Sequence, residues 1–173
     1  MIPPCHMVIV ILQRGKGKCG NFVPRISAMK TLLSPILSIN DFFATYAHAL
    51  EGYDTKTMAF LYNSPCTMIS DDTTTVFNDP SKLEGFFNVG AGFYRQFGIV
   101  HVRHQVWTKR DWTGKIMNVK VNWQYFDGLN APVYDCDYQY VLKTDKHGQW
   151  KIILSVSLNE KERVDAWKKK AGL

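Results

Sequence analysis

The stretch from His101 to Leu158 constrains the fold most: it reads as four successive β-strands whose turns put the apolar positions of neighbouring strands on one shared face. In the first, Val102, His104 and Val106 alternate with Arg103, Gln105 and Trp107; in the second, Val119, Val121, Trp123 and Tyr125 alternate with Lys120, Asn122 and Gln124. A two-residue turn at Thr113-Gly114 sets Val106 opposite Val121 and His104 opposite Trp123. The third strand presents Tyr134, Cys136, Tyr138, Tyr140 and Leu142, and the fourth Trp150, Ile152, Leu154, Val156 and Leu158. Keeping those two sets on one side needs a bulge or three-residue loop at residues 145–148, where Gly148 can take positive φ without steric cost. The expectation is a curved antiparallel sheet with one apolar side.

Helical signals precede the sheet. Ser38 and Asp41 have capping-box spacing, and Phe42, Phe43, Tyr46, Ala47 and Leu50 follow on one stripe until Gly52. Asp54 opens a second, shorter helix presenting Met58, Leu61 and Tyr62, which Pro65 stops. Residues 66–70 and 73–77 read as a small hairpin turning at Asp71-Asp72. Asp79 caps a third helix with Pro80 in its first turn, and Leu83, Phe86, Phe87, Tyr94 and Phe97 recur at helical spacing before Gly98. Gly85, Gly90 and Gly92 each cost that helix up to about 1 kcal/mol against alanine, which close approach to the sheet or a bend over a cavity would explain.

The chain of 173 residues suffices for one domain with its own core. Its net charge of +6 lies at the ends. Residues 1–28 hold +4 and residues 160–173 hold +2, whereas residues 29–159 balance at twelve basic and twelve acidic side chains. A solvated basic tail, not a nucleic-acid stripe, is the reading, with no nucleic-acid partner expected. The organisation expected is a poorly ordered or over-long arm over 1–28, a domain over 29–160 and a basic tail over 161–173. Cys5, Cys19, Cys66 and Cys136 form no CxxC pair and have no histidine at ligand spacing, so no metal is expected and the thiols read as reduced and intracellular. The apolar run Met7–Leu12 is too short to span a bilayer. A cytoplasmic protein without membrane attachment is expected.

The order helix, helix, hairpin, helix and four long strands, together with Asp79-Pro80 and the run Gly148-Gln149-Trp150-Lys151-Ile152, resembles the nuclear-transport-factor-2-like superfamily (SnoaL-like, cystatin-like α+β) over residues 38–160. The resemblance implies a cone-shaped α+β barrel, a strongly curved antiparallel sheet wrapped around three N-terminal helices. Its open end would admit a small, mostly apolar molecule without a cofactor. It also implies a homodimer through the outer sheet face, where Trp107, Phe126, Val141 and Ile153 form the candidate patch.

Alternation points His104 inward, and its imidazole can serve as acid or base near neutral pH. His104 with Tyr46 is the candidate catalytic pair; Tyr62, Phe86, Phe87, Trp123, Tyr125 and Tyr138 are the candidate ligand-binding residues. Members that resemble ketosteroid isomerases, dehydratases, epoxide hydrolases and polyketide cyclases use an interior aspartate. Asp135 and Asp137 face outward here by parity, and Asp71 and Asp72 occupy a turn. The functional expectation is a binder of a small apolar molecule acting by acid/base chemistry as an isomerase, dehydratase or hydrolase, with a non-catalytic carrier or dimerisation module as the alternative.

Overall fold

The structure is a computed structural model that describes residues 37–172; the expectations for residues 1–28 lie outside the described residues. The chain runs α1 (Ile39–Glu51), α2 (Thr55–Phe60), β1 (Tyr62–Ile69), β2 (Thr74–Phe77), α3 (Pro80–Gln96), β3 (His101–Asp111), β4 (Ile116–Phe126), β5 (Pro132–Thr144), β6 (Trp150–Ser157) and α4 (Glu160–Ala171). One curved, open sheet has the order β2-β1-β6-β5-β4-β3. It is antiparallel except where β1 lies parallel to β6, so the small hairpin extends the sheet instead of standing apart.

The helix starts follow their caps. The Ser38 hydroxyl accepts from the Asp41 amide at 3.1 Å and donates to the Asp41 carboxylate at 2.7 Å. Asp54 caps α2 by accepting from the Thr57 amide, and Asp79 caps α3 by accepting from the Ser81 amide. Each such cap is worth about 1 kcal/mol. Helix α2 is shorter than its apolar spacing suggested, because Leu61 closes it and Tyr62 already belongs to β1. Gly98 follows α3 at φ +63°, a conformation glycine adopts freely.

The β3–β4 pairing sets His104 opposite Trp123 and Val106 opposite Val121, as the alternation requires. It arrives there by a different route. Thr108 pairs with Lys120, which leaves Trp107 as an extra residue and lengthens the turn by one, so a bulge compensates the longer loop. The β4–β5 register brings Trp123 opposite Cys136 and Tyr125 opposite Tyr134, joining the two apolar faces.

Strand β6 departs from simple alternation. Ile152 pairs with Leu142 on the inner face, but Leu154 pairs with Val141 and Ser155 with Tyr140. The extra residue, Ile153, inverts everything after it. Leu154 and Val156, expected inside, lie on the outer face, while Ser155 and Ser157 turn inward. The loop at 145–148 does what was expected of it, with Asp145 bonded to Gln149 across three residues and Gly148 at φ +79°, so Leu142 and Ile152 share a face; the Ile153 bulge is a further shift within the strand.

The core lies between the inner sheet face and α1–α3, with Phe42, Phe43, Trp123, Val119, Val121, Leu142 and Ile152 all at most 1 % exposed. Phe43 packs on Tyr140 at 5.1 Å and Tyr46 edge-on to Trp123 at 5.3 Å between ring centroids. The Trp123 indole N–H donates to the Tyr140 hydroxyl at 2.9 Å, and every buried side-chain nitrogen and oxygen among the described residues has a partner. Close approach does not account for the α3 glycines: a Cβ at Gly85, Gly90 or Gly92 would meet no atom within 4 Å.

The basic tail expected over 161–173 is instead the body of α4, a fourth helix. Val164 is buried, and Trp167 packs edge-on to Phe97 at 4.8 Å. Acids in the first turn (Glu160, Glu162) and lysines in the last (Lys168, Lys169, Lys170) match the helix dipole. Charge counting missed this, because large apolar side chains only at Val164 and Trp167 are too few to reveal a stripe. Among the described residues, no helix is long and apolar enough to cross a membrane.

Candidate functional site: a phenol-lined cavity under the last helix

A cavity of about 480 Å³ opens between α3, the β1–β2 hairpin, the inner face of β6 and α4. Its apolar wall comes from Met58, Tyr62 and Met68, from Phe86, Phe87, Ala91, Phe93 and Tyr94 along α3, and from Val164. Ser155 and Ser157 reach it because of the Ile153 bulge. Tyr138 and Glu160 also line it, and Lys161, Asp165 and Lys168 stand along α4.

Glu160 is the chemically distinctive group. One carboxylate oxygen accepts from the Tyr134 hydroxyl at 3.2 Å and the other from Tyr138 in a short hydrogen bond. Burial raises its carboxyl above the ordinary range, and the two phenolic hydrogen bonds only partly oppose that rise. The surrounding phenols are held protonated by the same burial: Tyr138, Tyr134 and Tyr94 are all shifted upward. Tyr94 and Tyr125 share a hydrogen bond of 3.3 Å beside the Tyr134 and Tyr138 hydroxyls that converge on Glu160. Tyr62 is pushed up to about 12 by burial and bonds Tyr46 at 3.1 Å.

Of the ligand-binding candidates, Tyr62, Phe86, Phe87 and Tyr138 line this cavity. Phe86 does so from its rim, half-exposed, with its ring 5.3 Å from Phe77. Trp123 and Tyr125 do not; they are solid core behind it, each at most 3 % exposed. Tyr46 is likewise buried behind Tyr62 and outside the lining. His104 faces inward as expected, yet its ring lies 6.1 Å from Trp123 beneath α1, bonded to the Asn40 backbone, and is not part of the cavity wall. Burial lowers its pKa. Asp135 and Asp137 stay on the outer face, where Asn122 donates to both carboxylates and Lys120 pairs with Asp137 at 3.2 Å. Among the described residues no three His, Cys, Asp or Glu side chains gather as a metal site.

Sequence reasoning passed over Glu160, which entered only the charge count of residues 160–173. One signal pointed to it: Tyr134 and Tyr138 on one inward face are hydroxyls that need an acceptor when buried.

An open α+β cone with a side-chain-lined cavity defines a protein of nuclear-transport-factor-2-like architecture. A family model described as NTF2-like protein (DUF6841) matches residues 37–160, and the chain belongs to that family. No curated protein matches the chain. A Nostoc punctiforme domain of unknown function with a cystatin-like fold superposes at TM-score 0.57 with 15 % identity, covering 78 % of this chain and 84 % of that one. An NTF-2 like protein of unknown function from Shewanella oneidensis MR-1 aligns at 0.54 and 11 % identity, over 68 % and 93 %. A ketosteroid isomerase-like protein from Erwinia carotovora atroseptica aligns at 0.53 and 9 % identity, over 69 % and 91 %. These likenesses establish the fold.

Proposed function

We propose that the cavity binds a small, largely apolar molecule carrying a carbonyl or hydroxyl group, and that Glu160 with Tyr138 performs proton transfer on it. One observation carries this reading: a carboxyl raised by burial, held by two phenols, in the wall of a largely apolar cavity of about 480 Å³. A carboxyl whose pKa is nearer neutrality is better matched to acid/base work. In an isomerisation, the Glu160 carboxylate removes a proton from the carbon next to a carbonyl while the Tyr138 hydroxyl turns from Glu160 to the developing oxyanion. The same proton then returns from Glu160 to the far carbon of the dienolate, and nothing else is consumed.

The acid/base role thereby falls to Glu160 in place of His104 and Tyr46, which stand apart from the cavity. The test uses a panel of β,γ-unsaturated ketones whose conversion to conjugated enones is followed by ultraviolet absorbance. Turnover by the wild type is expected to fall about 100-fold or more in Glu160→Gln and to persist in His104→Ala. A rate unchanged in Glu160→Gln, or abolished by His104→Ala in a folded protein, sinks the assignment. The completeness of the Glu160 hydrogen bonds without a ligand favours a second reading, a non-catalytic carrier of the same molecule; binding without any turnover across the panel would establish it.

A further inference from the structure

The cavity lining includes a cation, Lys168. Glu160, Val164 and Lys168 recur every fourth residue along α4, so they form one stripe facing the cavity. Lys161, on the adjoining stripe, is occupied by Asp72 at 2.6 Å, and Asp165 lies close enough to Lys161 to support its charge. Lys168 differs. It is half-buried, its ammonium sits 5.5 Å from the ring centres of both Phe93 and Phe97, and no carboxylate among the described residues lies within ion-pair distance of it. Lys168 lies in the last helix, beyond the residues that the family model matches.

Two polar ends on one helical stripe make a ruler. Eight residues of helix advance about 12 Å, and an extended chain advances about 3.5 Å for every three bonds, so the two ends stand about ten bonds apart. Val164 stands between them on the helix, and Phe86, Phe87 and Ala91 add to the apolar lining.

We propose that the cavity's ligand is an anionic amphiphile: an apolar chain whose carboxylate pairs with Lys168 at the rim and whose hydroxyl or carbonyl, about ten bonds away, meets Glu160 and Tyr138. The proposal rests on the cavity being a binding site, as argued above, and adds the charge and length of what it takes. Aromatic rings beside the ammonium keep water off the pair without neutralising it.

The experiment measures binding of 10-hydroxydecanoate and 1-decanol to the full chain by calorimetry at pH 8. Wild type is expected to prefer the hydroxy acid by about fivefold, the scale of a partly screened ion pair. The preference should shrink in high salt and disappear in Lys168→Met, which keeps the apolar stem and should still bind 1-decanol. Equal affinity for the two probes in wild type, or a preference unchanged in Lys168→Met, overturns the anion assignment while the cavity reading stands. Failure of wild type to bind either probe overturns both.

Discussion

Glu160 couples its proton to folding. Burial holds its carboxyl above the ordinary value of 4.5, so between that value and the raised one the folded chain keeps a proton that the unfolded chain releases. Stability from this group is therefore complete at low pH and lost as pH rises through the window. Glu160→Gln stays neutral throughout. In urea titrations the stability of the variant relative to wild type should climb with pH above about 4.5, at no more than about 1.4 kcal/mol per pH unit. A difference that stays flat with pH would show that the carboxyl is not raised. The same residue marks where sequence reasoning stops. His104 was legible as an inward histidine, and it is inward, but alternation cannot tell which part of the inner face lies under a helix and which borders a cavity. Glu160 has no alternation to read, since it stands at a helix start after the last strand.

At the scale of elements, capping residues and the Gly148 loop were legible because their chemistry is local, whereas the bulges at Trp107 and Ile153 were not. A one-residue insertion leaves no trace in a run such as Trp150–Leu158, where apolar side chains occupy both parities. Its consequence is large: it turns Ser155 and Ser157 into the cavity and gives Leu154 and Val156 to the outer face. Helix α3 offers a cleaner test. Gly85 and Gly92 are exposed, lie within the helix and have open space at the Cβ position. Replacing either with alanine should raise stability by about 0.5–1 kcal/mol, chiefly by restricting the unfolded chain, measured as a higher urea midpoint at unchanged slope. A loss of stability would mean that α3 needs those glycines for a movement that this conformation does not display.

For the whole molecule, the order of strands and helices was legible because four strands and three helices each carry a periodic signal, the cone followed from the resemblance alone, and the closing helix α4 carried no such signal. The outer sheet face is where the expected self-association is to be tested. Its centre is a polar ladder in which Gln124, Asn122, Asp137 and Lys120 are mutually bonded, and Asn122 is only 3 % exposed even in the single chain. Around that ladder lie apolar groups: Trp107, half-exposed with the Lys120 ammonium 4.6 Å from its ring, and Leu154 and Val156, delivered there by the bulge. Satisfied polar groups ringed by apolar ones suit a self-complementary two-fold contact, because pairing them removes apolar surface without stranding a charge. We therefore expect sedimentation at micromolar concentration to give the mass of two chains. Trp107→Glu sets an uncompensated carboxylate on that face and should give the mass of one, with the circular dichroism spectrum of wild type retained. A single-chain mass for wild type, or a dimer indifferent to Trp107→Glu, would place self-association elsewhere and leave the bulge with a role in shaping the cavity alone.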